Sequence, residues 1–306
     1  MTKYFNNFSI IAFLLLSCLA VIIVQCSGQE EKTSLPDTII WRITGNRLEK
    51  SSFLFGTVHG IDSSDFFLHK TMIEQLKRSD MVVFETDLTI PDYQQKAFQY
   101  AMMKDDSLDR MLTDSQYSLV SGFFMDEFQF PIAAVKKMKP FYVASLIAAL
   151  RPGEKKISYE EVFMKLAKEE EKEISGISTL EKESEILSAV DPDEQVRYLL
   201  DEIERYKKGE NDSLREEMIS AYISADLNRI NTLTKNSLSE YESIYEHMFV
   251  VRNQSWLEEM DRLMSDQRCF FAVGVGHLPG ASGLIQLLRE RGYKVVPVKM
   301  DFWFHD

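Results

Sequence analysis

The sequence predicts an α/β protein with a central mixed, mainly parallel sheet flanked by helices and a helical cap insertion over about residues 91–250. Three observations carry this. Met81-Val82-Val83-Phe84 is an unbroken apolar run, the pattern of a strand covered on both faces. Strand-like and helix-like segments follow one another at both ends of the chain, as parallel crossovers require. Two strand-like runs, Phe53 to Gly56 and Phe270 to Gly274, continue alike into Gly-x-x-His, at His59 and His277.

With 306 residues, 45% of them hydrophobic, the chain can bury a sizeable core. The formal net charge of −13 argues against nucleic acid or an anionic membrane surface as the main partner. Residues 1–28 form a targeting segment with Lys3 as its one charge and an apolar run from Phe8 to Val24. Three fates are open to it: cleavage after Gly28, lipidation of Cys26 (although Gln25 departs from the usual lipobox), or retention as a membrane helix. Export with cleavage is the expectation favoured, to the periplasm or cell surface, with membrane association only through this N-terminus. Residues 29–38 read as a linker and 39–306 as the folded domain. Cys18 and Cys26 lie in the targeting segment, so Cys269 is the only cysteine of that domain. It precedes an apolar strand and reads as a small core residue.

Ile39 to Ile43 reads as a strand, turned by Gly45-Asn46, and Ser52 to Thr57 returns as its hairpin partner. Leu68 to Arg78 is an amphipathic helix through Leu68, Met72, Ile73 and Leu76. Asp80 to Glu85 is the next strand, and a carboxylate at the end of a buried parallel strand lies where α/β sheets place their chemistry. Pro91 to Lys139 is helical with breaks, its Phe123, Phe124, Phe128 and Phe130 read as core. Phe141 to Leu150 is a buried helix. Glu160 to Glu173 is a helix with a charged outer face, followed by a short strand at Ile174 to Ile177. Glu181 to Tyr245 is helical, and His247 to Met264 is one further helix carrying Arg252, Asn253 and Trp256. The second signature strand is followed by a helix, Ser282 to Arg291, closed by Gly292, and by a last strand from Tyr293 to Val298.

If both signature strands lie in one parallel sheet, His59, His277 and Glu85 converge at one rim, with Gly56 and Gly274 shaping the loops. Two imidazoles and a carboxylate suffice for a catalytic divalent metal with an open position. A metal-free acid–base pair and purely structural histidines fit the same pattern. His69, His247 and His305 lack the preceding Gly-x-x and read as structural.

The two Gly-x-x-His motifs, Glu85, and the Arg252-Asn253-x-x-Trp256 helix resemble the TraB/GumN family. That family includes the Tiki membrane-anchored Wnt proteases and is related to erythromycin esterase-like and ChaN-like proteins. The likeness runs from about Trp41 to Val298. It implies a metal-dependent hydrolase, most simply a peptidase, using manganese or cobalt as in the Tiki branch, with zinc as an alternative. The positions carried over are His59, Glu85, Arg252 and His277. The histidines and Glu85 would hold the metal or act as acid and base. Arg252 would stabilise oxyanion charge or grip a substrate carboxylate. One departure is Gly176-Ile177-Ser178-Thr179, where family members often carry Gly-Leu-Glu-Thr. Glu160 falls near a frequent family aspartate. Two rivals use the same fold: a peptide-sequestering protein without catalysis, and a metal-free esterase-like hydrolase.

Overall fold

A computed structural model describes residues 34–150 and 156–300. The expectations for the targeting segment and for His305 lie outside the described residues. Among the described residues no helix is long and apolar enough to cross a membrane.

β1 (Ile40–Gly45) and β2 (Ser52–Thr57) form the expected antiparallel hairpin, turned through Gly45 at φ +84. After the two-residue β3 (Ile61–Asp62), α1 (Lys70–Arg78) starts at His69, whose Nδ1 accepts the Thr71 N–H at 3.1 Å. β4 (Met81–Thr86) follows, then α2 (Tyr93–Ala101), α3 (Leu108–Met111), α4 (Asp114–Phe128) and α5 (Pro140–Leu150). β5 (Lys156–Ile157) pairs with β3. α6 (Tyr159–Glu169), β6 (Glu173–Ser178), α7 (Leu180–Ser188), α8 (Pro192–Lys208), α9 (Glu210–Ile223), α10 (Leu227–Ser237) and α11 (Glu242–Tyr245) come next. A π-helical turn, Glu246–Val251, leads into α12 (Arg252–Asp266). β7 (Cys269–Gly274), a 3-10 turn (Val275–His277), α13 (Leu284–Glu290) and β8 (Tyr293–Pro297) complete the fold.

The main sheet has the order β6-β4-β7-β2-β1-β8. β6, β4, β7 and β2 are parallel; β1 runs against β2 and β8. The passage from β2 to β4 skips one strand position, and β7 fills it. The two signature strands are therefore neighbours in register, Gly56 opposite Val273 and Thr57 opposite Gly274. Their loops open side by side at the carboxyl rim, where β4 and β6 also end. That rim is where open parallel sheets bind ligands.

Two of the three hydrophobic cores among the described residues bear most of it. The sheet core gathers Phe55, Phe84, Phe270, Phe271, Trp256 and the inner faces of α6, α9 and α10. A second core belongs to the cap, with Phe123 and Phe124 buried and edge-on to each other at 5.7 Å, and Phe128 and Phe130 packed against them. The Phe-rich patch is core, as its spacing predicted. Within the helical stretch the short strand expected at Ile174 to Ile177 forms as β6. β6 joins the main sheet beside β4, and α6, α9 and α10 contribute to the sheet core: Phe163 of α6 packs against Phe55 and Phe270, and the Tyr222 hydroxyl of α9 donates to the Gly56 carbonyl. The helix before β7 is not regular from His247. The π turn seats Phe249 against Gly276, where a Cβ would stand 2.8 Å from the ring. Cys269 is buried, and burial pushes its thiol up to about 12, as suits a core residue.

Candidate active site

Each site residue stands at the end of an element whose burial is dictated elsewhere in its sequence. Glu85 is the penultimate residue of β4 and turns its carboxylate toward β7. Oε1 accepts the Gly274 N–H at 2.7 Å, and Oε2 accepts from Arg252 Nη2 at 2.5 Å. His277 closes the 3-10 turn after β7 and is 4% exposed. His59 leaves β2 two residues past its last ladder position.

Gly274 is the pivot. A Cβ there would lie 3.3 Å from Glu85 Oε1, 3.5 Å from His277 Cδ2 and 3.7 Å from His59 Nε2. One carboxylate and two imidazoles thus face one small space that a side chain would fill. Gly56 serves a different approach, since its Cβ would meet Val275 Cγ2 at 2.8 Å. Neither glycine has a positive φ. Of the two roles expected for them, close backbone approach is the one the fold uses.

Hydrogen bonding fixes the tautomers. Asn253, on α12, donates through Nδ2 to the carbonyls of His277 (3.2 Å) and Ser282 (2.8 Å). Its Oδ1 must therefore face His277 Nδ1, 2.7 Å away, and that nitrogen must carry the proton. His277 Nε2 is left with its lone pair, facing Arg252 Nη1 at 3.3 Å. On the other loop, His59 Nδ1 meets Glu160 Oε1 at 3.0 Å. Glu160 is held by Thr57 Oγ1 (2.6 Å) and by Ser158 Oγ (2.8 Å), the N-cap of α6. Both imidazoles thus have Nδ1 anchored by an oxygen; His59 turns Nε2, and His277 its Cδ2 edge, toward the Gly274 space.

Charge is organised around Arg252. Its Nε bonds Glu183 Oε2 at 2.5 Å, and Glu183 Oε1 accepts the Trp256 indole N–H at 2.9 Å. The guanidinium therefore bridges two carboxylates, Glu85 and Glu183, and lies over the Trp256 ring at 4.9 Å. Burial alone would raise the Glu85 carboxyl, but Arg252, aided by the histidines and the Gly274 N–H, holds it far below the usual range. Burial pushes the His277 imidazole down to about 3, Glu85 opposing and Arg252 reinforcing. The Glu160 hydrogen bond raises His59 to about 9 against partial desolvation. The His59 ring is 71% exposed, so water weakens this shift without reversing it. Burial works against ionisation of Glu160, yet its bond to His59 keeps it below the ordinary carboxylate value.

The buried neutral His277 has a consequence for stability. Its folded pKa lies below the unfolded value of 6.5, so the unfolded chain alone takes up the proton between them. Stability should fall as pH drops from about 6.5 toward 3, by up to about 1.4 kcal/mol per pH unit. The raised His59 acts only above 6.5, and depressed carboxylates only below about 4.3. Urea unfolding in chelator-treated buffer between pH 6.5 and 4.5 should show this slope, flattened in His277→Gln. Equal slopes in both proteins would mean that the ring is not held neutral.

His59, Glu85, Arg252 and His277, singled out in the sequence, are brought together. Glu160, Glu183 and Asn253 complete the site and were not assigned to it. Glu160 was marked only by its nearness to a family aspartate and otherwise read as part of a charged helix face. Asn253 lay inside the Arg-Asn-x-x-Trp run without a role. Glu183 had no signal beyond its place one turn into α7. The departure at Ser178 also finds its setting: Ser178 Oγ is buried without a hydrogen-bond partner, and Glu183, five residues on, is the acid that reaches Arg252.

As now placed, no three His, Cys, Asp or Glu side chains among the described residues stand in metal-holding geometry. Arg252 occupies one Glu85 oxygen and faces His277 Nε2. The donor chemistry nonetheless suits a divalent cation. His59 Nε2, Glu85 Oε1 and the Cδ2 edge of His277 border the Gly274 space, His277 Nε2 lies 3.8 Å from Glu85 Oε1, and anchored Nδ1 atoms are the usual support of metal-bound histidines. The family model described as TraB/PrgY/gumN matches residues 39–297. No curated protein and no solved structure matches the chain.

Proposed function

Because the chain belongs to the TraB/PrgY/gumN family, we propose that it is a hydrolase acting on peptides, dependent on a divalent metal such as manganese or cobalt. The observation that carries this reading is the convergence of His59 Nε2, Glu85 Oε1 and His277 about Gly274, with a buried guanidinium beside them. His59, Glu85 and His277 would hold the ion. When bound, it would acidify a water molecule and polarise the scissile carbonyl.

The chain's own groups perform the rest. Asn253 keeps the His277 proton on Nδ1 and its lone pair toward the cleft. Glu160 does the same for His59, holding its proton on Nδ1 and leaving the Nε2 lone pair toward the Gly274 space. Arg252 is kept charged by Glu85 and Glu183 and sets positive charge where a tetrahedral oxyanion would develop. The apolar run near the N-terminus supports a location outside the cytoplasm, with the chain released or tethered there.

A second reading has its own observation. Arg252 already bridges Glu85 and faces His277, an arrangement that serves hydrolysis of an ester or amide without a metal. Metal content of the purified protein, with turnover of a peptide library before and after chelation, separates the two. The first reading expects cleavage that is lost on chelation and restored by manganese or cobalt. Chelator-resistant cleavage selects the second. Peptide binding with no cleavage under any condition overturns both and leaves a sequestering protein.

A further inference from the structure

A cleft of about 350 Å3 opens beside His59 and Glu85. Its wall is largely apolar: Phe84, Leu88, Tyr93, Met164 and Ala272. Phe84 and Ala272 are buried and lie side by side on β4 and β7. Tyr93 is tied to Thr86, its hydroxyl 2.9 Å from Oγ1. A larger hollow, about 570 Å3, lies against Asp62, Arg215 and Ile219, but Asp62 there is taken by Lys156 and Arg215 and no catalytic group faces it.

We infer that the cleft beside His59 is a side-chain subsite that accepts one apolar residue of a substrate peptide next to the scissile bond and rejects an acidic one. This rests on the hydrolase reading. Its volume lies at the small end of ligand pockets, which run from roughly 300 to 1,000 Å3, and so suits one side chain with its backbone. Three acids, Glu85, Glu160 and Glu161, border it against one imidazole, His59, so the net charge along the border disfavours a carboxylate. A basic side chain would have to desolvate its charge against Phe84 and Ala272.

The covalent layout joins specificity to chemistry. Met164 stands four residues after Glu160 on α6, on the same helix face. Leu88 follows Glu85 by three residues, in the connection from β4 to α2. The elements that orient the acid–base groups therefore also build the wall against which a neighbouring side chain would rest. Met164 is the adjustable member, being unbranched and only partly buried.

The test uses matched peptides that differ only in the residue flanking the cleaved bond: Phe, Leu, Gly or Asp. Expected kcat/KM for Phe and Leu exceeds that for Gly and Asp by tenfold or more. Met164→Trp, which fills the cleft, should penalise the Phe peptide at least tenfold more than the Gly peptide. A flat series, or an equal loss for all peptides in Met164→Trp, overturns the subsite while leaving the hydrolase reading intact. If no peptide is cleaved, the hydrolase reading fails and the subsite is judged by binding alone. N-acetyl-leucine amide and N-acetyl-aspartate amide are titrated against the protein by NMR. Leucine-selective binding abolished by Met164→Trp supports the subsite; equal binding of both amides, or of neither, overturns it.

Discussion

His59→Ala should lower kcat/KM for a cleaved peptide by about 10³-fold, whether the ring is lost as a holder of the ion or as the acid–base group of the metal-free reading. The folded state should be nearly unaffected, because the ring is 71% exposed and leaves no cavity in the core. His277→Ala should abolish turnover to a similar degree for a different reason. It removes a ring from a packed site between Trp256 and Phe249, 4.6 and 5.1 Å away between centroids, and leaves Asn253 Oδ1 without its donor. A measurable stability loss of about 1–3 kcal/mol should accompany it. Glu160→Gln should fall between wild type and His59→Ala, since the amide still holds the ring but no longer raises its basicity. Steady-state kinetics paired with urea unfolding would check all three. Normal turnover in either histidine variant would remove the idea of a shared centre.

Arg252→Ala should strongly damage the fold. It leaves Glu85 and Glu183 as buried carboxylates without their counter-ion, and breaking a buried pair costs about 3–5 kcal/mol. The triple variant Glu85→Gln/Glu183→Gln/Arg252→Met removes the stranded charges together and should recover most of that stability. It should remain inactive. Urea midpoints of the single and triple variants decide the matter. A triple variant no more stable than Arg252→Ala would show that the network is held by packing about Trp256 and not by charge. Arg252→Lys should not rescue activity, because one ammonium cannot reach Glu85, Glu183 and His277 in the planar fork that the guanidinium uses.

The contrast between Glu85 and Glu183 shows how far the chain alone could be read. Glu85 ends a strand whose apolar run leaves no doubt about its place, so its position at the sheet rim follows from local pattern. Glu183 lies in a helix of strong formers, among other acids. Only its distance to Arg252, 69 residues later in the chain, reveals what it does. Glu160 is a similar case: a charged helix position in the sequence, but in space the anchor of His59 Nδ1.

By itself the sequence determined the α/β class, the hairpin, the strand ends to within one residue of Gly56, Glu85 and Gly274, and the two histidines that follow the glycines. These are set by short-range periodicity and backbone chemistry, which act within a few residues. Tertiary structure alone decided that β7 lies between β4 and β2, which turns two distant motifs into one centre about Gly274. It also decided which oxygen anchors each imidazole, and that Arg252 bridges two buried acids. Those outcomes depend on strand order and on side chains meeting across long loops, and no local pattern encodes them.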